Sequence, residues 1–222
     1  MQLEKLVARR LGHEPVAYIS GTRGFWTIDL DVTPAVLIPR ADSETLIEAA
    51  VAHFGDAKPL RILDLGTGSG ALLLAALDHW PEATGVGIDA SMDALEIARR
   101  NVARIAPGRA DMRLGDWASG IDERFDLVLC NPPYVESGAA LERQVGAFEP
   151  SAALYAGPDG LDAYRLILPE LPRLIASGGV ACVEVGFAQS DRVAAMIESF
   201  GLSVERRRDL AGIERCLMAT HN

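Results

Sequence analysis

The stretch Arg61-Ile62-Leu63-Asp64-Leu65-Gly66-Thr67-Gly68-Ser69-Gly70 decides the fold. Its first half is a short apolar run that reads as a buried strand. Three alternate glycines then turn the chain into Ala71-Leu72-Leu73-Leu74-Ala75-Ala76-Leu77, a helix over 69–79 that stops before Pro81. Glycine tolerates positive φ and leaves room for a ligand to lie against the backbone. The amides exposed at the start of such a helix suit an anionic group.

Towards the carboxyl terminus, strands and helices alternate. Residues 85–89 read as a strand, 92–104 as an amphipathic helix, 111–114 as a third strand and 125–130 as a fourth. After a long loop come a helix over 161–175, a strand over 180–185, a helix over 190–200 and two closing strands, 202–208 and 214–219. This order predicts a mainly parallel, doubly wound α/β sheet. Such sheets bind ligands beyond the carboxyl ends of their strands, where the strand order switches. Asp64, Asp89, Asp116 and Asn131 all fall at or just after such ends, which brings four polar residues to one rim.

Towards the amino terminus, residues 2–11 read as an amphipathic helix. An extended stretch follows over 16–32, interrupted at Gly21 and Gly24 and alternating through Phe25-Trp26-Thr27-Ile28-Asp29-Leu30, which reads as a β-hairpin. A helix over 43–54 is capped by Asp42 or Ser43, with Leu46, Ile47 and Ala50 inward. The chain thus divides into an N-terminal helix and hairpin, 1–41, and a main domain, 42–222.

The 222 residues are 49% hydrophobic and 23% charged, ordinary for one packed domain. No apolar run approaches the ~20 residues that span a bilayer. The amino terminus has no signal-peptide core, so a cytoplasmic location is expected; a monomer is expected as well. Cys130, Cys182 and Cys216 sit in apolar runs without metal-ligand spacing and read as small buried hydrophobes; no metal is expected. A formal charge of −10 disfavours a nucleic-acid partner, and Arg99-Arg100 and Arg206-Arg207-Arg208 read as solvated surface.

Gly66-Thr67-Gly68-Ser69-Gly70-Ala71 also satisfies a dinucleotide-binding pattern. Two features favour S-adenosylmethionine instead. Asp64 would oppose a pyrophosphate but suits a cationic methionyl group. The second feature, Asn131-Pro132-Pro133-Tyr134, has no role in hydride transfer. On this reading Asp89 accepts from ribose hydroxyls, Asp116 from the adenine amino group, and Trp117 packs on the ring. Asn131 and the backbone of Gly66, Thr67, Gly68 and Gly70 complete the cofactor contacts.

The Asn131 loop carries the chemistry. An amide nitrogen is a poor nucleophile because its lone pair is delocalised. If the Asn131 side-chain oxygen and the Pro132 carbonyl each accept one N–H, the nitrogen is held with its lone pair towards a sulfonium methyl. Alignment then supplies most of the rate, and the acceptors stabilise charge growing on nitrogen. The two prolines stiffen the loop and Tyr134 walls it. Glu184, a carboxylate in an apolar strand, either lines this end of the sheet or pairs with a base. Glu149 either binds substrate or caps a turn, and Arg215 braces a carboxylate on the last strands.

With these residues in place the chain resembles the protein-(glutamine-N5) methyltransferases that act on peptide chain release factors. The resemblance covers nearly the whole chain. It includes Glu14-Pro15-Val16-Ala17-Tyr18-Ile19-Ser20-Gly21, Phe25-Trp26, Leu37-Ile38-Pro39-Arg40 and Asp42-Ser43-Glu44-Thr45. It continues through the glycine loop, Asp89, Asp116-Trp117, Asn131-Pro132-Pro133-Tyr134, Phe148-Glu149-Pro150, Gly157-Pro158-Asp159-Gly160-Leu161 and Asp209-Leu210-Ala211-Gly212-Ile213-Glu214-Arg215. It implies a seven-stranded class I S-adenosylmethionine-dependent methyltransferase fold and a glutamine in a Gly-Gly-Gln tripeptide as the acceptor. Asn131, Pro132 and Tyr134 would hold that glutamine, with Pro133 and Glu149 beside it, and Phe25 and Arg40 would stand near the cofactor. Members usually begin with a separate helical domain that helps to grip the release factor, whereas here one short helix precedes the shared segment. Adenine N6 methylation, methylation of another protein such as a ribosomal protein, and a non-catalytic binding domain are the competing readings.

Overall fold

The structure, a computed structural model, describes residues 2–222, with side chains from residue 3 onward. In chain order the elements are α1 (Gln2–Leu11), α2 (Val16–Ser20), β1 (Thr22–Phe25), β2 (Ile28–Asp31), α3 (Glu44–Phe54), β3 (Arg61–Leu65) and α4 (Ala71–His79). Then come β4 (Thr84–Asp89), α5 (Met92–Ile105), β5 (Ala110–Leu114), β6 (Phe125–Cys130), α6 (Arg143–Gly146), α7 (Asp162–Ile167) and α8 (Leu171–Leu174). β7 (Ile175–Glu184), α9 (Ser190–Ser199), β8 (Leu202–Arg208) and β9 (Glu214–His221) complete the chain.

Seven strands form one sheet in the order β5-β4-β3-β6-β7-β9-β8, parallel from β5 to β7, with β9 antiparallel to both its neighbours. The chain starts in the middle at β3, runs outward to β5, and returns to place β6 on the other side of β3. The switch in strand order therefore falls between β3 and β6. The glycine loop leaves one of these strands and the Asn131 loop leaves the other.

Helices cover both faces, so the central strands are continuous apolar runs. Ile62, Leu127 and Leu129 pack against α3, α4 and α5, whereas Leu63, Val128 and Cys130 pack against α7, α8 and α9. Phe25, Leu30 and Val32 belong to the same cluster as α3–α5, so the hairpin shares the core of the sheet.

Two local expectations are corrected. Residues 16–20 form a turn of helix, α2, instead of an extended strand. Pro15 fixes φ at −57° before it, Gly21 ends it at φ 80°, and the buried Tyr18 hydroxyl donates to the Val36 carbonyl at 2.6 Å. The hairpin is confined to β1 and β2, which pair antiparallel from Thr22–Asp31 to Phe25–Ile28. The helix expected over 161–175 is broken into α7, a 3-10 turn over Leu168–Glu170, and α8, because Pro169 and Pro172 cannot donate to the preceding turn. β7 then starts at Ile175, earlier than expected, and an irregularity in its pairing with β6 absorbs the extra residues.

Asn101 of α5 ties the hairpin to the glycine loop. It is fully buried, its Oδ1 accepts from the Asp31 amide at 2.8 Å, and its Nδ2 donates to the carbonyls of Asp31 and Ser69. Replacing it leaves buried backbone groups without partners, each costing about 1–3 kcal/mol. Asn101→Ala is expected to lower unfolding stability by about 3 kcal/mol in chemical denaturation; a change below about 0.5 kcal/mol would show that the hairpin does not depend on this bridge.

Candidate active site

A cavity of about 330 Å³ opens at the carboxyl rim between β3 and β6. Gly66, Gly68, Asp89, Asp116, Trp117, Asn131 and Pro133 line it, together with Ala35–Leu37 and Pro150 with Ala152–Ala153.

The glycine loop has its shape for reasons visible in the backbone. Gly66, Gly68 and Gly70 all have positive φ, between 56° and 85°, a region that strains other residues. The amides of Gly66 and Thr67 both donate to the Ile88 carbonyl at 2.9 Å, and Gly68 donates to Asp89 Oδ2 at 2.8 Å. Asp89 Oδ1 accepts from the Ser91 amide, and Ser91 caps α5 by accepting from the Ala94 amide. Trp117 stands against Gly66, where an added Cβ would come within 3.2 Å of the indole.

Beneath the loop lies Asp64, only 1% exposed. Its Oδ2 accepts from the Thr67 hydroxyl at 2.6 Å, while Oδ1 has no hydrogen-bond partner among the described residues. Burial pushes its pKa up to about 7, opposed by the Thr67 hydroxyl and reinforced by the charge of Asp89. Thr67 and Gly70 are also buried and do not line the cavity.

The Asn131 loop is held on three sides. Asn131 Nδ2 donates to Ser43 Oγ at 3.0 Å, and the residue lines the cavity. Pro132 is buried. Tyr134 donates to Glu184 Oε1 at 3.3 Å, and its carbonyl accepts from Gln189 Nε2 at 3.1 Å. Burial and the Glu184 charge hold the Tyr134 hydroxyl far above the usual tyrosine range. Gly160 packs so tightly on the Tyr134 carbonyl that an added Cβ would fall 2.4 Å from it.

Other expected site residues lie elsewhere. Glu149 is buried and accepts from the Ile38 amide at 3.1 Å and from Arg40 at 2.5 Å, so both its oxygens fasten the 38–40 segment to the loop. Arg40 is thereby engaged with Glu149. Phe25 is 2% exposed and sits in the hydrophobic core, not on the cavity wall. Arg215 pairs with Asp42 and Asp209, as expected of a brace. The Arg206, Arg207 and Arg208 side chains pair with Asp191, Glu205 and Glu214. All three cysteines are buried and free. Among the described residues no cluster could hold a metal ion, and no helix is long and apolar enough to cross a membrane. Sequence reasoning did not assign Ser43 or Gln189, whose partners lie far away in the chain, nor the small apolar residues 35–37 and 152–153.

The fold and its rim define a methyltransferase. The methyltransferase small domain family matches residues 42–160. A release factor glutamine methyltransferase of Rhodospirillum rubrum is 47% identical over 98% of this chain and 68% of its own length; that of Caulobacter vibrioides is 41% identical over 99% and 78%. The solved protein-(glutamine-N5) methyltransferase of Alicyclobacillus acidocaldarius superposes with a TM-score of 0.52 at 27% identity, covering 86% of this chain and 99% of that one. The chain belongs to the release factor glutamine methyltransferase family.

Asp64 has a testable effect on stability. Its pKa lies near 7 in the folded chain and near the ordinary carboxylate value when unfolded, so between those values the folded state binds more protons. Its contribution to stability is therefore largest in acid and is lost as pH rises towards 7. Asp64→Asn removes this titration, so the variant's melting temperature relative to the parent should be higher at pH about 8 than at about 5; a difference independent of pH would show that Asp64 stays ionised throughout.

Proposed function

We propose that this chain transfers the methyl group of S-adenosylmethionine to the side-chain amide nitrogen of a glutamine in a peptide chain release factor. The observation that carries this reading is the anchoring of Asn131 Nδ2 on Ser43, which leaves the carboxamide oxygen of this cavity-lining residue free to accept from a ligand. An amide N–H needs an acceptor there, not a donor.

The residues present fit the cofactor. The glycine cradle leaves backbone open at Gly68, where an added Cβ would meet nothing within 4 Å. The orphaned Asp64 Oδ1 is an acceptor suited to a cationic amino group. Asp89 offers its remaining lone pairs to ribose hydroxyls, Asp116 faces the same cavity, and Trp117 supplies a flat apolar wall. When bound, S-adenosylmethionine supplies an electrophilic methyl on sulfonium sulfur.

The chain's own residues hold the acceptor. Asn131 Oδ1 and the Pro132 carbonyl accept the two amide hydrogens, which holds the amide so that the face of its nitrogen carrying the lone pair is aimed across the rim. The same oxygens stabilise positive charge as the nitrogen gains a fourth substituent, and the product then releases one proton to water. Pro132 and Pro133 fix the loop, and Tyr134 covers the planar amide. The acidic charge and the pairing of the Arg206–Arg208 cluster favour a protein acceptor over a nucleic acid.

Incubation with isotopically labelled cofactor and, separately, release factor, ribosomal protein and DNA tests this reading, with the methyl mapped by mass spectrometry. Label on a release-factor glutamine is expected; label on a DNA adenine alone would overturn it. Asn131→Ala should bind cofactor normally and lose turnover on the order of 100-fold or more, and unchanged turnover would remove Asn131 from the mechanism. Cofactor affinity should rise with pH up to about 7 as Asp64 ionises, a dependence absent in Asp64→Asn.

A further inference from the structure

Glu184 ends β7 with 1% of its surface exposed, where a carboxylate is costly unless it serves something. Its Oε1 accepts from Tyr134, and Oε2 has no hydrogen-bond partner within 3.5 Å among the described residues. The Ser43 hydroxyl faces the same carboxyl and favours its ionised form. Ser43 Oγ in turn accepts from Asn131 Nδ2. Side chains from β7, from the 3-10 turn Ala41–Ser43 and from the loop after β6 thus come together in one partly buried group of polar side chains.

We propose that Glu184 is a positioning residue for methyl transfer: by taking the hydroxyl hydrogens of Tyr134 and Ser43 it fixes the Asn131 carboxamide with its oxygen towards the acceptor nitrogen. The proposal rests on the glutamine-amide reading of the site for its kinetic consequence, but not for its structural one.

The argument is a count of donors and acceptors. A carboxylate only accepts: Tyr134 donates to Oε1, and the relay has the Ser43 hydroxyl turn its hydrogen to the same carboxyl. A serine hydroxyl has one hydrogen, so once that is committed Ser43 Oγ can only accept from Asn131. Only the NH₂ end of the carboxamide can meet that demand. Flipping Asn131 would set Oδ1 against Oγ, two acceptors face to face. A neutral carboxylic acid reverses the polarity: it can donate to Ser43, whose hydrogen is then free to reach the Asn131 oxygen. Both orientations of Asn131 become available.

The carboxyl is poised for this change, since burial pushes its pKa up to about 7. Arg215 of β9 favours the ionised form and Asp42 opposes it. The other titratable side chains around it, Tyr134, Tyr164 of α7, Cys130 of β6 and Cys216 of β9, are kept neutral by burial and by Glu184 itself. The fixed orientation therefore holds above neutral pH and loosens as pH falls through about 7.

Two readouts test the proposal. In ¹⁵N-labelled protein, the side-chain amide signals of Asn131, assigned by loss in Asn131→Asp, should shift with pH between about 5.5 and about 8.5 and become flat in Glu184→Gln. This readout needs no substrate. Signals that do not titrate in the parent, or that titrate equally in Glu184→Gln, would overturn the relay. With release factor and cofactor, Glu184→Gln and Ser43→Ala should each lower kcat on the order of 10- to 100-fold with little change in KM, and the double variant should be no worse than the weaker single. Losses that multiply, or a Glu184→Gln enzyme with parental kcat and pH profile, would overturn it. A parent that labels no glutamine while the amide signals titrate as expected would count against the acceptor assignment and leave the relay standing.

Discussion

One carboxylate ties the rim together. Asp89 accepts the Gly68 amide through one oxygen and the Ser91 amide through the other, so it joins the loop after β3 to the start of α5. Had the loop been left to itself, three residues at positive φ would be a flexible turn. Held by Asp89 and by the Ile88 carbonyl, it is a preformed surface of exposed backbone. The bond also orders the floor of the cavity, because Trp117 rests on Gly66 and the buried Asp64 lies directly below. The parallel register of β3 with β4 brings these groups together, since it carries Leu65 beside Ile88 at the strand ends.

Two buried carboxyls divide the work across the switch point. Asp64 lies under the glycine loop on β3, and Glu184 lies behind the Asn131 loop at the end of β7. Burial raises the pKa of both to about 7, and each keeps one oxygen without a hydrogen-bond partner among the described residues. Such groups weaken the unliganded fold at neutral pH and are retained where a site needs charge or directed acceptors. Glu149 is different. Both its oxygens are used within the chain, so it holds the Ile38–Arg40 segment as a wall and has little left to offer a ligand.

Much of this is legible in the amino-acid sequence. The apolar run through Ile62, Leu63 and Leu65, the glycines at 66, 68 and 70, and the polar residues at strand ends specify the parallel sheet and its rim because those patterns are local. What escaped is of two kinds. Residues 16–20 look extended by composition, but Pro15 and Gly21 bound a helical turn whose Tyr18 reaches Val36, a tertiary contact that overrides local preference. Ser43 reads only as a helix cap in sequence. Its hydrogen bond to Asn131, 88 positions along the chain, joins α3, which packs on the Leu127 and Leu129 face of β6, to the loop that follows that strand. Phe25 shows the opposite case: a motif residue that resemblance placed near the cofactor belongs to the core.

The central claim is that the Asn131 loop presents two oxygens to an amide nitrogen. A crystal structure of the chain with S-adenosylhomocysteine and a Gly-Gly-Gln peptide tests it most directly. The account predicts the glutamine side-chain nitrogen within about 3 Å of both Asn131 Oδ1 and the Pro132 carbonyl oxygen, with Asn131 Nδ2 still on Ser43. A glutamine held by its carbonyl oxygen against Asn131 Nδ2, or a nitrogen that meets neither acceptor, would contradict it.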